Sequence, residues 1–197
     1  MKSFKCILII ILSPIIAYTQ NYSTTLDSNK TTLGVKTNLA YLTAFTPNLG
    51  LELNFKEVYS LEFMMTYNAW DLEENKKWKN LMMLGEMKFW QKTNTKGHFL
   101  GIQAGFVQYN IGSISLPYYK EAFYYRYDGW LIGMGLTYGH KWEINNKWAF
   151  EASAGIGVMY ADYDKYLFPV CGAFWGEFHS FLLVPTKLSF SLIYYIN

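Results

Sequence analysis

The sequence predicts an all-β fold, an eight-stranded antiparallel up-and-down transmembrane β-barrel. Three observations predict it. Hydrophobic residues make up 51% and aromatic residues 19% of the chain, yet beyond the N-terminal segment no apolar run approaches the roughly 20 residues that a spanning helix needs. The apolar residues alternate with polar ones instead, in eight segments with a period of two. The polar face of those segments is rich in glycine and carries charges of both signs, whereas a strand face turned to water is expected to be rich in Thr, Lys and Glu.

Residues 1–19 are expected to be a secretory signal peptide. Lys2 and Lys5 form a positive start, Cys6 to Ala17 an apolar stretch, and Ala17 and Thr19 the small residues of a cleavage site before Gln20. Residues 20–32 are polar and read as a flexible leader, and 33–197 as the outer-membrane barrel domain. Removing Lys2 and Lys5 from the 17 basic residues leaves 15 against 15 acidic ones. A neutral chain whose single arginine is Arg126 has no electrostatic attraction to nucleic acid. Cys171 is then the one remaining cysteine, so no intrachain disulfide is expected.

The first strand is predicted over 33–42, with Leu33, Val35, Thr37, Leu39 and Tyr41 on one face and Gly34, Lys36, Asn38 and Ala40 on the other. The second covers 49–55 and sets leucines and Phe55 against Gly50, Glu52 and Asn54. The third begins at Tyr59, with Ser60, Glu62, Thr66 and Asn68 as its polar set. The fourth opposes Met83, Met87 and Phe89 to Glu86 and Lys88. The fifth, sixth and seventh oppose Leu100 to Phe106, Ile132 to Tyr138 and Trp148 to Val158 to glycine-rich faces, with Gln103, Thr137, Glu151 and Ser153 among the polar members. The eighth runs from Leu188 to the end of the chain.

Three of the four odd connectors are longer than every even one, as an outer-membrane barrel requires, and the first, 43–48, is the exception. The odd connectors, 43–48, 71–80, 111–128 and 161–185, are expected outside the cell, and the even ones, 56–58, 91–97 and 143–147, are periplasmic turns. Aromatic residues flank both ends, with Phe55, Tyr59, Phe89, Trp90, Phe99, Trp142 and Trp148 near the turns and Tyr41, Tyr67, Trp70, Tyr109, Trp130 and Tyr160 near the loops. Two interfacial girdles are expected there.

A soluble lipocalin-like barrel that binds a hydrophobic ligand is the alternative with the opposite polarity. The glycines on the polar face favour a narrow, crowded interior over a water-facing surface. Lys36, Glu52, Glu62, Glu86, Lys88, Lys141 and Glu151 are therefore expected to pair across a plugged lumen, since an unpaired charge there is costly.

No strong catalytic motif is present. Glu177, His179 and Ser180 raise the alternative of a lipid A-modifying enzyme, but adjacent residues of an extended segment face opposite ways, so His179 and Ser180 should not bond directly. His98, His140 and His179 are too scattered in sequence to suggest a metal site. No catalytic residue, metal or cofactor is expected. Tyr118, Tyr119, Tyr124 and Tyr125 crowd into the long connector 111–128 and form a candidate contact surface.

The blocks Lys36-Thr37-Asn38-Leu39-Ala40-Tyr41, Thr46-Pro47-Asn48-Leu49-Gly50-Leu51-Glu52, Gly97-His98-Phe99-Leu100-Gly101, Gly135-Leu136-Thr137-Tyr138-Gly139 and Pro185-Thr186-Lys187 resemble a family of Bacteroidetes outer-membrane barrels that is catalogued as a domain of unknown function. The resemblance spans about 33–197. It implies a structural, anchoring or surface-interaction role in the outer membrane, with lipid and a surface or fimbrial protein as partners, because members are thought to occur beside fimbrial genes. The chain departs from many such barrels in ending at Asn197 and not at an aromatic residue, with Tyr194 and Ile196 left to supply the assembly signal.

Overall fold

A computed structural model describes residues 31–56, 58–71, 77–91, 95–112, 125–167 and 172–196, with no description of the Asp71 side chain. The expected signal peptide and nearly all of the leader lie outside these residues. So do Cys171, Tyr118, Tyr119 and Tyr124.

Eight strands follow one another: β1 (Thr32–Asn38), β2 (Asn48–Phe55), β3 (Tyr59–Asp71), β4 (Lys77–Trp90), β5 (Gly97–Gly112), β6 (Tyr125–Glu143), β7 (Trp148–Leu167) and β8 (Phe174–Tyr195). Each pairs antiparallel with the next, and β1 also pairs with β8, so the sheet closes on itself into an up-and-down ring. Closure leaves no open edge of unpaired backbone groups.

The period-two pattern sorts the side chains as the sequence predicts. On β3, Ser60, Glu62, Thr66 and Asn68 are buried inside the ring, while Leu61 and Phe63 are about half exposed on its outside. The same inversion runs around the ring: Leu136 is 64% exposed, and the glutamates and lysines of the interior are at most 5% exposed.

Three features depart from the sequence reading. First, β1 stops at Asn38, and 39–43 form a short helix, α1 (Leu39–Thr43). Asn38 ends the strand because its side chain does the work of the next ladder bonds. Its Oδ1 accepts from the backbone N–H groups of Ala40 (3.1 Å) and Phe190 (3.1 Å), and its Nδ2 donates to the Leu188 carbonyl (3.0 Å). Tyr41 therefore belongs to a helix and not to a girdle.

Second, the later strands are much longer than predicted. β6, β7 and β8 have 19, 20 and 22 residues, against 7 and 8 for β1 and β2. Much of the expected connectors 71–80, 111–128 and 161–185 is paired strand, for example Trp70 with Trp78 and Tyr127 with Lys165. Tyr125 is accordingly a strand residue and not part of a loop. Pro185 did not end β8, because it sits at a bulge where Gly155 pairs with Lys187 and Ile156 with Pro185, leaving Thr186 as the extra residue. A bulge is one of the few places a strand accepts proline.

Third, Trp90 and Phe99, expected in a girdle, are 6% and 2% exposed and lie inside the ring. Outside it, aromatic pairs do cluster at the turn end (Phe55 with Tyr59, Tyr59 with Phe89, Trp148 with Tyr194) and again farther along (Phe106 with Trp130, Trp130 with Tyr160, Tyr160 with Phe181).

Candidate functional site: an ion-paired layer inside the ring

The register places like charges side by side. Glu52 on β2 stands opposite Glu62 on β3, and Glu62 stands opposite Glu86 on β4. Carboxylates directly opposite one another destabilise a sheet, so this row needs cations from elsewhere. Lysines from β1, β4, β6 and β8 supply them across the lumen.

Lys36 donates to Glu62 at 2.7 Å and to Glu151 at 2.5 Å. Lys88 lies 2.7 Å from Glu52, 2.6 Å from Glu62 and 2.7 Å from Glu151. Lys141 pairs with Glu52, and Lys187 pairs with Glu86 and, at 2.7 Å, with Glu62. The seven charged residues expected in the lumen thus all meet in one buried network. Lys187 is an eighth member that the sequence reading placed just before the last strand. The signal was there: Lys187, Ser189 and Ser191 share one parity.

Among the described residues, the buried charges are four lysines and four glutamates, so the layer is neutral. Removing water from charges is expensive, and the cost is offset only when each is paired and bonded. Nearly every oxygen and ammonium in the layer has a partner, but Glu86 Oε1 has none among the described groups. Glycine makes room for the layer: a Cβ on Gly101 would collide with the Glu86 carboxylate.

Beneath the layer, toward the short turns, aromatic rings close the lumen. Lys141 Nζ lies 4.3 Å from the Trp90 ring centroid and Lys88 Nζ 4.7 Å from that of Phe99, which adds cation–π attraction. Trp90 Nε1 donates to Ser60 Oγ at 2.6 Å, and Ser60 in turn donates to Asn54 Oδ1 at 2.6 Å. The ring is therefore filled across this level by paired side chains.

Glu52, Glu62 and Glu151 bring carboxylate oxygens within 4.8 Å of one another, and they are the one cluster of three or more candidate metal ligands among the described residues. The Lys88 ammonium touches all three, so a protein cation already holds the place a metal would take.

The histidines are less scattered than their spacing suggests. His98 and His140 are opposite each other on β5 and β6 with ring centroids 4.2 Å apart, and His98 Nδ1 shares a 2.7 Å hydrogen bond with the Tyr138 hydroxyl. His179 Nδ1 lies 3.4 Å from Asp162 Oδ2, both partly exposed. Ser180 is paired with Ala161 on β7, while His179 is paired with Asp162. Tyr125 carries the Lys165 ammonium 3.8 Å from its ring centroid and contacts Trp175.

A family model described as "Protein of unknown function (DUF3575)" matches residues 8–196, and the chain belongs to that family. The comparisons with curated proteins and with solved structures returned no match.

Proposed function

We propose that this member of the DUF3575 family is an integral outer-membrane β-barrel with a structural, anchoring or surface-interaction role. The observation that carries the reading is the inverted polarity of the ring. The charges are inside and paired, and the large apolar side chains, Leu49, Phe63, Ile102, Met134, Leu136 and Ile156 among them, are outside and exposed. A soluble protein rarely exposes a contiguous apolar surface of that extent. In lipid the same surface is matched to its solvent, and the closed ring satisfies every strand edge.

The two aromatic clusters support the reading. Trp130 and Trp142, both on β6, are twelve residues apart, roughly 40 Å of strand. A tilt of about 45° projects that onto a height close to the membrane's hydrocarbon core of about 30 Å. Beyond Trp130, strands β6 to β8 continue, with Phe174 and Trp175 exposed on β8. This raised wall is the proposed contact surface for a protein partner at the cell surface.

The test is fractionation of the native cell with an alkaline wash of the membranes, followed by protease on intact cells. Retention in the outer-membrane pellet, with cuts confined to the connections between β3 and β4, β5 and β6, and β7 and β8, supports both insertion and orientation. Release as a soluble periplasmic protein sinks the reading.

A further inference from the structure

Above the charge layer the interior changes character. A cavity of about 290 Å³ opens there, floored by Gln103, Thr186 and Lys187 and walled by apolar groups such as Leu84, Leu131 and Met159. Gly105, Gly133 and Gly135 also line it, and a Cβ on Gly133 or Gly135 would strike the backbone of β7. Helix α1 lends Tyr41 to one wall. The ion-paired layer, joined to it through Lys187, lies on one side.

The polar floor is selective. Lys187 is already held by Glu62 and Glu86, so it offers no free charge to an anion, and the balanced layer below offers none to a cation. Gln103 is 1% exposed. Its Nε2 donates to Thr186 Oγ1 at 2.5 Å, which fixes the amide, but its Oε1 accepts from no described group. That oxygen has almost no accessible surface, so whatever enters meets a floor that is already packed and paired.

We infer that this cavity is a binding site for a small, uncharged, mostly apolar molecule, such as an aromatic hydrocarbon or a neutral aromatic amine. Apolar walls with one or two placed polar groups are the usual make-up of a small-molecule site, and the volume stands at the small end of that range, roughly 300–1,000 Å³. Most of its wall, Leu84, Val107, Leu131 and Met159 included, faces inward, and Met134, Pro185 and Leu188 of the outward face border it as well.

The probe is 1-aminoanthracene, uncharged at neutral pH, with anthracene as the counterpart that lacks the donor. Fluorescence is titrated with the full chain in phosphatidylcholine vesicles, and protein-free vesicles give the background. The wild type should show saturable binding of one probe per chain. Leu131→Trp, which fills the cavity, should weaken it more than tenfold. Val107→Phe, on the same wall, repeats the test should Leu131→Trp fail the heat-dependent gel shift of a folded barrel. Anthracene should show the same saturable binding and the same loss in Leu131→Trp. No saturable signal above background, or undiminished binding in the folded filled variant, would overturn the proposal.

Discussion

Lys36 on β1 and Glu151 on β7 meet at 2.5 Å, although β8 lies between their strands. The contact spans the lumen and does not follow the sheet, so the charge layer ties together strands that the backbone ladder does not join. Removing one partner leaves a buried charge without compensation, which typically costs about 3–5 kcal/mol. Lys36→Met is expected to lower stability by that amount, read as a fall in the urea midpoint of tryptophan fluorescence for protein folded into vesicles. Adding Glu151→Gln should restore part of the loss through a favourable coupling. Additive losses would mean that the two residues act independently.

Crowding inside the ring gives a second expectation. A Cβ on Gly139 would strike the Phe99 ring and come within 2.7 Å of Ser153 Cβ, whereas one on Gly85 would meet nothing within 4 Å. Gly139→Ala should cost about 1–3 kcal/mol through overpacking. Gly85→Ala should be neutral or mildly stabilising, by up to about 1 kcal/mol. Equal responses at the two sites in the same urea titration would contradict the assigned faces.

The Asn38–Asn48 clamp gives a third. Asn48 Oδ1 accepts from the Asn38 N–H at 2.6 Å, and Asn48 Nδ2 donates to the Asn38 carbonyl at 2.9 Å. The pair holds β1 to β2 where α1 leaves the sheet. Asn48→Ala should cost about 2 kcal/mol by stranding both backbone groups. Asn48→Asp, which keeps the acceptor, should cost less. Hydrogen exchange at the Asn38 amide should rise in the alanine variant, and unchanged protection there would remove the clamp from the account.

The surroundings of the ring supply a fourth. Leu136 lies near the middle of the outward face of β6. Leu136→Arg should destabilise the protein by about 2–4 kcal/mol in a bilayer. A surface exposed to water would tolerate the same change within about 0.5 kcal/mol. Folding yield in vesicles separates the two.

Period-two alternation made the ring legible, since one parity of residues had to share a face. It also put seven of the eight plug residues together from sequence. Lys187 escaped because Pro185 looked like the end of a loop, and only the pairing of Ile156 with Pro185 reveals a bulge within a strand. Composition alone places Trp90 in a girdle. Strand parity carried the correction, because Phe89 faces out and its neighbour must face in. The helix at 39–43 was hidden because Leu39 and Tyr41 continue the alternation of β1. What ends the strand is the set of bonds made by Asn38 to β8, which joins residues about 150 positions apart. The length of β6 to β8 was hidden by polar and aromatic mixtures that read equally well as loop. The blocks around Asn38 and Asn48 that carried the family resemblance turn out to hold the β1–β2 clamp together with Lys36 and Glu52 of the charge layer.

The central claim is that the apolar face of the ring meets lipid, and one position tests it directly. A Leu136→Cys variant, made in a Cys171→Ser background and labelled with bimane, is folded into vesicles whose acyl chains carry bromine at mid-depth. Strong quenching by the brominated lipid and none by aqueous iodide is the predicted result. Quenching by iodide with no response to bromine would place Leu136 in water and contradict the account.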